Sequence, residues 1–418
     1  MTETKMTTTT ETETETEPKI DNTIHNILIL STDKFYHGIG GLCTQLRETV
    51  NAFHELNLPY YFILITPEKE EITGPNYKVV PMISTQCQSL TPFNEYLSVI
   101  NRSGSYVGAA MDYLCKNNIK LKCIHAFDWG TFTAAQILCH YFNAPYVASI
   151  ALSIQKEVAA YRKHYSTILS PASNEMHVFQ VCCMIEASGM QKASKILFNT
   201  FEYANSVAGP FGNKSHVITN GVPFTYIKNL KVPDNFKLPG RSLAKKLVFI
   251  GRLTLSKNVM NVLQAKLPDN VDLIVIGSET QGAEKLVVGA VYECAQNNQN
   301  VHYVGGKYDD EKFYFLKSAD AVIMPSIHEP FGIVALEALA SGCLLLSSVV
   351  DGLAEFLDDT VCIPCGVSPD TITQAIQKWN NMNDGDVKNL VGRGLERASK
   401  YDWKDIALKT EKIIYEKI

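Results

Sequence analysis

The chain has 418 residues, 46% of them apolar and 19% charged, with a formal net charge of −5. That length suits two domains of ordinary globular composition. A pI near 6.1 without a basic stripe gives nucleic-acid phosphates no counterpart, and no run approaches the roughly 18 uninterrupted apolar residues of a membrane span.

Residues 1–22 are a Thr/Glu-rich tail whose first twenty positions hold nine Thr, five Glu and two Lys. It has no apolar face to bury and no secretory core, so disorder is expected there and a cytoplasmic location for the whole. Alternation of strand and helix begins at Asn26. The apolar run Ile27–Leu30 leads into a glycine loop, His37-Gly38-Ile39-Gly40-Gly41, and then Leu42, Leu46, Val50 and Phe53 recur at helical spacing. Tyr61–Ile65, Val79–Ile83, Cys123–Phe127 and Tyr146–Leu152 read as further strands. Residues 223–245, with three prolines, interrupt the alternation. It resumes with strands at Leu247–Ile250, Val271–Ile276, Val301–Val304, Ala321–Met324 and Leu344–Val349. Such alternation predicts parallel sheets wound on both faces. The organisation expected is a tail (1–22), a Rossmann-like domain (23–225), a linker (226–245), a second Rossmann-like domain (246–400) and an amphipathic terminal helix (401–418). Ligands of such sheets bind beyond the carboxyl ends of the strands, so the cleft between the domains is the natural site.

The eleven cysteines are odd in number and lie mostly in apolar segments, which argues for a reducing compartment. The one C-x-x-C, Cys362-Ile-Pro-Cys365, has no second pair at matching spacing and reads as core. His37, His54, His140, His164 and His177 show no ligand spacing, so no zinc site is predicted. Glu186, on the helical stretch 174–194, has two readings, facing the cleft or facing solvent, and the second is the usual one for a single glutamate on a long helix. His328 reads as a packing or capping residue.

The most informative stretch is Pro325-Ser-Ile-His-Glu-Pro-Phe-Gly332 followed by Ile333–Gly342. Apart from Glu337, residues 332–340 are apolar or glycine all round, the pattern of a buried helix, with Gly342 placed for a left-handed C-terminal cap. A carboxylate there is costly unless paired or hydrogen-bonded. Ligand hydroxyls and a salt bridge to a neighbouring cation satisfy Glu337 equally well on this pattern. Pro330 stands near the helix start, and the Phe331, Gly332 and Ile333 amides would open an anion site. Upstream, the strand Leu247–Ile250 ends in Gly251-Arg252, with Lys257 close behind. In isolation those cations would read as a solvated pair. Beside the helix start and two carboxylates, they can hold a diphosphate.

In this register, Gly251-Arg252-Leu253-x-x-x-Lys257-Asn258, the Glu329-x7-Glu337 spacing and the phrase EPFGIVALEALASG resemble the retaining GT-B-type glycosyltransferases, nearest in pattern to the glycogen/starch synthase branch and related sugar-nucleotide transferases. Ile124-His125-Ala126-Phe127-Asp128-Trp129, Gly40-Gly41, Asn220-Gly221-Val222, DGLAEFL at 351–357 and the closing segment YDWKDIALKTEKIIYEKI are similar too. The resemblance implies two Rossmann-like domains facing a cleft, with a terminal helix crossing back to the first. It implies transfer of a hexose from a nucleoside-diphosphate sugar to a glycan or other hydroxyl acceptor. Arg252 and Lys257 would hold the donor diphosphate, and Glu329, with the following amides of Pro330–Ile333, would lie at the donor sugar. Glu337 would meet the ribose hydroxyls, Gly40, Gly41 and Gly251 would allow close approach of backbone, and His125 and Asp128 would stand on the acceptor-side wall. No cofactor and no metal are implied, and Asp384-Gly385-Asp386 reads as a polar turn, not a metal motif.

Three departures stand out. Ala151 occupies the place where the family has a histidine near the reacting carbon. Gly38 replaces the lysine of glycogen synthases, and Asn258 replaces a common glycine. The first keeps open a second expectation, a GT-B-fold protein that binds a nucleotide sugar or glycan without efficient transfer.

Overall fold

The computed structural model describes residues 24–36, 40–82, 102–164, 174–279 and 283–418. The Thr/Glu tail, His37-Gly38-Ile39 with the departure at Gly38, Ile83 and Cys87 lie outside the described residues.

The first sheet contains β1 (His25–Ser31), β2 (Tyr60–Thr66), β3 (Ile72–Thr73), β4 (Tyr77–Pro81), β5 (Leu121–Phe127), β6 (Tyr146–Ile150), β7 (Lys195–Phe198) and β8 (Ser215–Val217), in the order β3-β4-β2-β1-β5-β6-β7-β8. The second contains β9 (Lys245–Ile250), β10 (Val271–Ile276), β11 (Val301–Tyr303), β12 (Ala321–Met324), β13 (Leu344–Ser347) and β14 (Ile363–Pro364), in the order β11-β10-β9-β12-β13-β14. All pairings are parallel except β3 with β4. The strands are near-continuous runs of Val, Ile, Leu and Phe because helices cover both faces of each sheet. β1, β2, β9 and β10 are almost wholly inaccessible to solvent. The doubly wound α/β expectation is met in both halves.

The two units are joined at several places. Tyr203, from the helix Phe201–Val207 after β7, reaches His328 of the second unit. The Glu202 amide donates to Glu355 Oε1 at 2.9 Å. The Val222 amide donates to the Tyr401 carbonyl at 2.7 Å, and an added Cβ on Gly221 would press on Trp403. The last helix, Trp403–Thr410, runs on through a π-turn to Tyr415 against the first sheet's helix Gly41–Glu55. Tyr415 packs among Phe53, Tyr60 and Phe62, and Lys195 Nζ donates to the Ile413 carbonyl at 2.5 Å. The expected linker, 226–245, begins inside a short helix, Phe224–Asn229, and Lys317 fastens its end through the carbonyls of Lys228 and Leu230. Among the described residues, no helix is long and apolar enough to cross a membrane.

Candidate active site

A doubly wound sheet receives its ligand where the strand order reverses. In the second sheet that point lies between β9 and β12. β9 delivers Gly251 and Arg252, and one 3₁₀ turn, Leu255–Lys257, brings Lys257 back toward the strand ends. β12 delivers the loop Pro325–Gly332. The two loops meet in an ion pair: Lys257 Nζ lies 2.5 Å from Glu329 Oε2, with side chains 16% and 8% exposed. Ser326 Oγ donates to the same oxygen at 3.3 Å. Arg252, one residue on from Gly251 at the end of β9, is exposed. Asn258 sits at φ 63°, which asparagine tolerates far better than branched residues, and its amide donates to the Pro325 and Val367 carbonyls. The replacement of glycine at this position therefore keeps the backbone turn and adds a clamp on the start of the Pro325–Gly332 loop.

The loop is shaped by two glycines. Gly332, at φ 97°, precedes the helix Ile333–Ala340. Gly352 donates its amide to the Glu329 carbonyl, and a Cβ there would stand 2.1 Å from the Pro330 carbonyl oxygen. Phe331 is buried against Phe356, so Pro330 and Phe331 are fixed from behind. The helix ends as its sequence predicts, with Gly342 at φ 72° and the Cys343 amide donating to the Ala338 carbonyl. Glu337 is 2% exposed on this helix. Lys312 Nζ lies 2.6 Å from its Oε1, while Oε2 is buried with no hydrogen-bond partner among the described residues. The salt-bridge alternative for Glu337 is thus realised at one oxygen.

The first unit supplies the facing wall. Gly40, at φ 147°, opens the helix Gly41–Glu55, and a Cβ on Gly41 would lie 3.8 Å from Ile333 Cδ1. The glycine turn after β1 therefore meets the start of the buried helix after β12. His125 ends up elsewhere than on an open acceptor wall. It is buried, lies flat on Phe127, and its ring nitrogens stand 2.7 Å from Tyr415 Oη and 2.7 Å from Ser149 Oγ. Burial pushes its pKa down to about 3, so it stays neutral. The reason for the difference is the returning C-terminal segment, whose Tyr415 covers the carboxyl end of β5. Asp128 holds a loop: its Oδ1 accepts from the amides of Ala151 (2.7 Å) and Leu152 (3.1 Å), and β6 ends at Ile150 because those amides leave the ladder. Ala151 in turn gives its carbonyl to Asn199 Nδ2 at 3.1 Å. It lines a small cavity of about 30 Å³ together with His125, Ser149 and Tyr415.

Glu186 overturns its solvent-facing reading. It is fully buried, not solvent-facing, and its carboxylate accepts from Ser153 Oγ (3.0 Å), the Ile154 amide (2.9 Å) and Gln155 Nε2 (3.3 Å). The signal was present in its surroundings, the apolar run Val181-Cys182-Cys183-Met184-Ile185 just before it. Asp128 and Glu186 together fix residues 151–155 at the cleft. Burial pushes the Glu186 pKa up to about 7 against its hydrogen bonds. A carboxyl raised in the folded state stabilises the fold below its unfolded value of about 4.3 and loses that contribution as pH rises through about 7. His125, held neutral, works the opposite way below about 6.5. The expected result is therefore in the difference: Glu186→Gln should lose stability relative to wild type at pH 5 and regain it toward pH 8, by on the order of 2 kcal/mol in denaturant titrations. A difference flat in pH would refute it.

Asp384 and Asp386 occupy the first turn of the helix Asp384–Ala398, where Asn383 caps the Asp386 amide at 2.9 Å. They are helix-start residues, not an isolated turn. No group of three or more His, Cys, Asp or Glu stands ready for a metal ion among the described residues. Cys362 and Cys365 are unbridged, with burial pushing both thiols up to about 12.

Residues 234–391 match the family model described as Glycosyl transferases group 1. The chain is 29% identical over 312 residues to an uncharacterised glycosyltransferase of Methanocaldococcus jannaschii, covering 70% of this chain and 74% of that protein. It is 23% identical over 298 residues to a glycogen synthase of Mycobacterium tuberculosis, covering 69% of this chain and 67% of that one. The structure superposes on a sucrose-phosphate synthase of Thermosynechococcus elongatus with a TM-score of 0.74 at 18% identity, over 94% of this chain and 98% of the other. The chain has the GT-B fold, and its second unit resembles the group 1 glycosyltransferases. The family match spans β9 through β14 and the loops that carry Arg252, Lys257, Glu329 and Glu337.

Proposed function

We propose that the chain is a retaining, metal-independent transferase that moves a hexose from a nucleoside-diphosphate sugar to a hydroxyl of a glycan or other acceptor. The observation that carries this reading is the Lys257–Glu329 pair at the strand switch point, on a loop whose following helix start, Ile333, meets Gly41 across the domain boundary. Breaking the anomeric bond places negative charge on the departing diphosphate and positive charge on the sugar ring. Lys257, Arg252 and the amides opening the helix at Ile333 are cations and dipoles fixed before the reaction, which is the arrangement that stabilises such a separation. Glu329 would then sit at the donor sugar, and Glu337 Oε2 would take a ribose hydroxyl. No cofactor is needed for this chemistry. Ten cysteines unbridged in the structure accord with a reducing, cytoplasmic setting.

Ala151 favours a second reading, binding without efficient transfer, because it brings no side chain to the place where the family has a histidine. One experiment separates them: nucleotide release from UDP-, ADP- and GDP-sugars, with and without a mixed glycan acceptor, beside Glu329→Ala. Release from one donor, abolished in the variant, supports the transferase and names its donor. A donor that raises Tm but is not turned over, with release gained in Ala151→His, supports binding alone. No response to any donor would refute both.

A further inference from the structure

His328 and Asp351 are not among the residues that would touch the donor, yet both are built into its loop. Asp351 has φ 45°, a left-handed conformation that a non-glycine residue adopts at a cost, inside a loop otherwise rich in backbone constraints. Its Oδ2 accepts from the Glu329 amide at 3.0 Å and stands 2.7 Å from His328 Nδ1. A carboxylate can only accept, so Nδ1 carries a proton, and the other ring nitrogen, Nε2, faces the first unit. That nitrogen lies 3.1 Å from Tyr203 Oη, and the two rings stack with centroids 6.3 Å apart. Tyr203 is fully buried and belongs to the first unit, at the start of a helix capped by Thr200. The three side chains thus form one hydrogen-bonded chain from the first unit, through the donor loop, to the backbone amide of Glu329. Although burial pushes the Asp351 carboxyl up, the bonds from His328 and the Glu329 amide hold it below the usual range, so it is a charged acceptor.

We propose that Tyr203, His328 and Asp351 are positioning residues that tie the approach of the two domains to the geometry of the loop bearing Glu329. The loop keeps its transfer-ready shape only while Tyr203 of the opposite domain holds His328. This rests on the function proposed above for the rate measurements, but not for the structural one.

The test uses the full chain with Tyr203→Phe, His328→Asn, His328→Ala and Asp351→Gly. Asp351→Gly relaxes the backbone conformation while deleting the acceptor. His328→Asn keeps a donor for Asp351 and loses Tyr203. Hydrogen–deuterium exchange over residues 326–333 should quicken about tenfold in Tyr203→Phe, a change made in the other domain, and in Asp351→Gly, with melting temperatures held. With the donor found by nucleotide release, kcat should fall about tenfold in both, KM for the donor should stay within about twofold, and His328→Asn should recover part of the loss in His328→Ala. Exchange over 326–333 unchanged by Tyr203→Phe overturns the relay. Quickened exchange in a chain whose wild type releases no nucleotide supports the relay and overturns the transferase reading instead.

Discussion

Lys257→Ala should lower sugar transfer by about a hundredfold to a thousandfold, the loss typical of removing one preorganised charge-stabilising group from a transition state. It should also destabilise the fold, because Glu329, 8% exposed and deprived of its partner, becomes a buried unpaired charge worth about 3–5 kcal/mol. The two effects can be separated. Lys257→Met with Glu329→Gln removes both charges at similar volume, so stability should return while transfer does not. Arg252→Ala, at an exposed position with no packing to lose, should cut transfer by orders of magnitude with Tm unchanged. Single-turnover rates and thermal melts on the same samples decide this. A variant that transfers normally would remove the electrostatic account of the site.

Glu337→Gln should weaken donor binding about tenfold to a hundredfold, the range for hydrogen bonds to a charged group. The glutamine keeps the shape but leaves Lys312 beside a neutral amide. Lys312→Met should do less harm to donor binding than Glu337→Gln, because Oε2, the oxygen without a partner, remains on Glu337. Titration calorimetry with the nucleoside diphosphate alone reads this without turnover. Equal losses in both variants would mean that the pair matters only as a pair, and that Glu337 does not meet the ligand.

The second unit was the more legible half. Lys257 and Glu329 lie on two loops, each shaped by short-range signals (a strand end, a proline, two glycines), and the strand order β9-β12 brings those loops together. Gly342 as a helix terminator was readable for the same reason. The first unit was harder because its decisive partners are distant in sequence. His125 reads as a strand-end residue, but what covers it is Tyr415, and nothing local connects the two. Glu186 sits on a helix whose apolar face does not reveal that it is turned to the 153–155 loop. Lys312, which takes half of Glu337, lies in a charged stretch, Asp309–Lys312, that looks solvated along its whole length. Asn258 and Asp351 looked like departures or plain loop residues, and only their left-handed φ values and side-chain bonds give them a part.

The return of residues 403–415 to the first sheet also sets an order of events during synthesis. Phe53, Tyr60 and Phe62 emerge from the ribosome long before the tyrosine that packs on them, and His125 and Lys195 wait with them for their hydrogen-bond partners. The nascent first domain must therefore pass through a period with an aromatic face uncovered, in which it is exposed to chaperones and to self-association. The cover comes from residues that follow the second domain in sequence, so the packing of the first domain is completed only after the second has been synthesised.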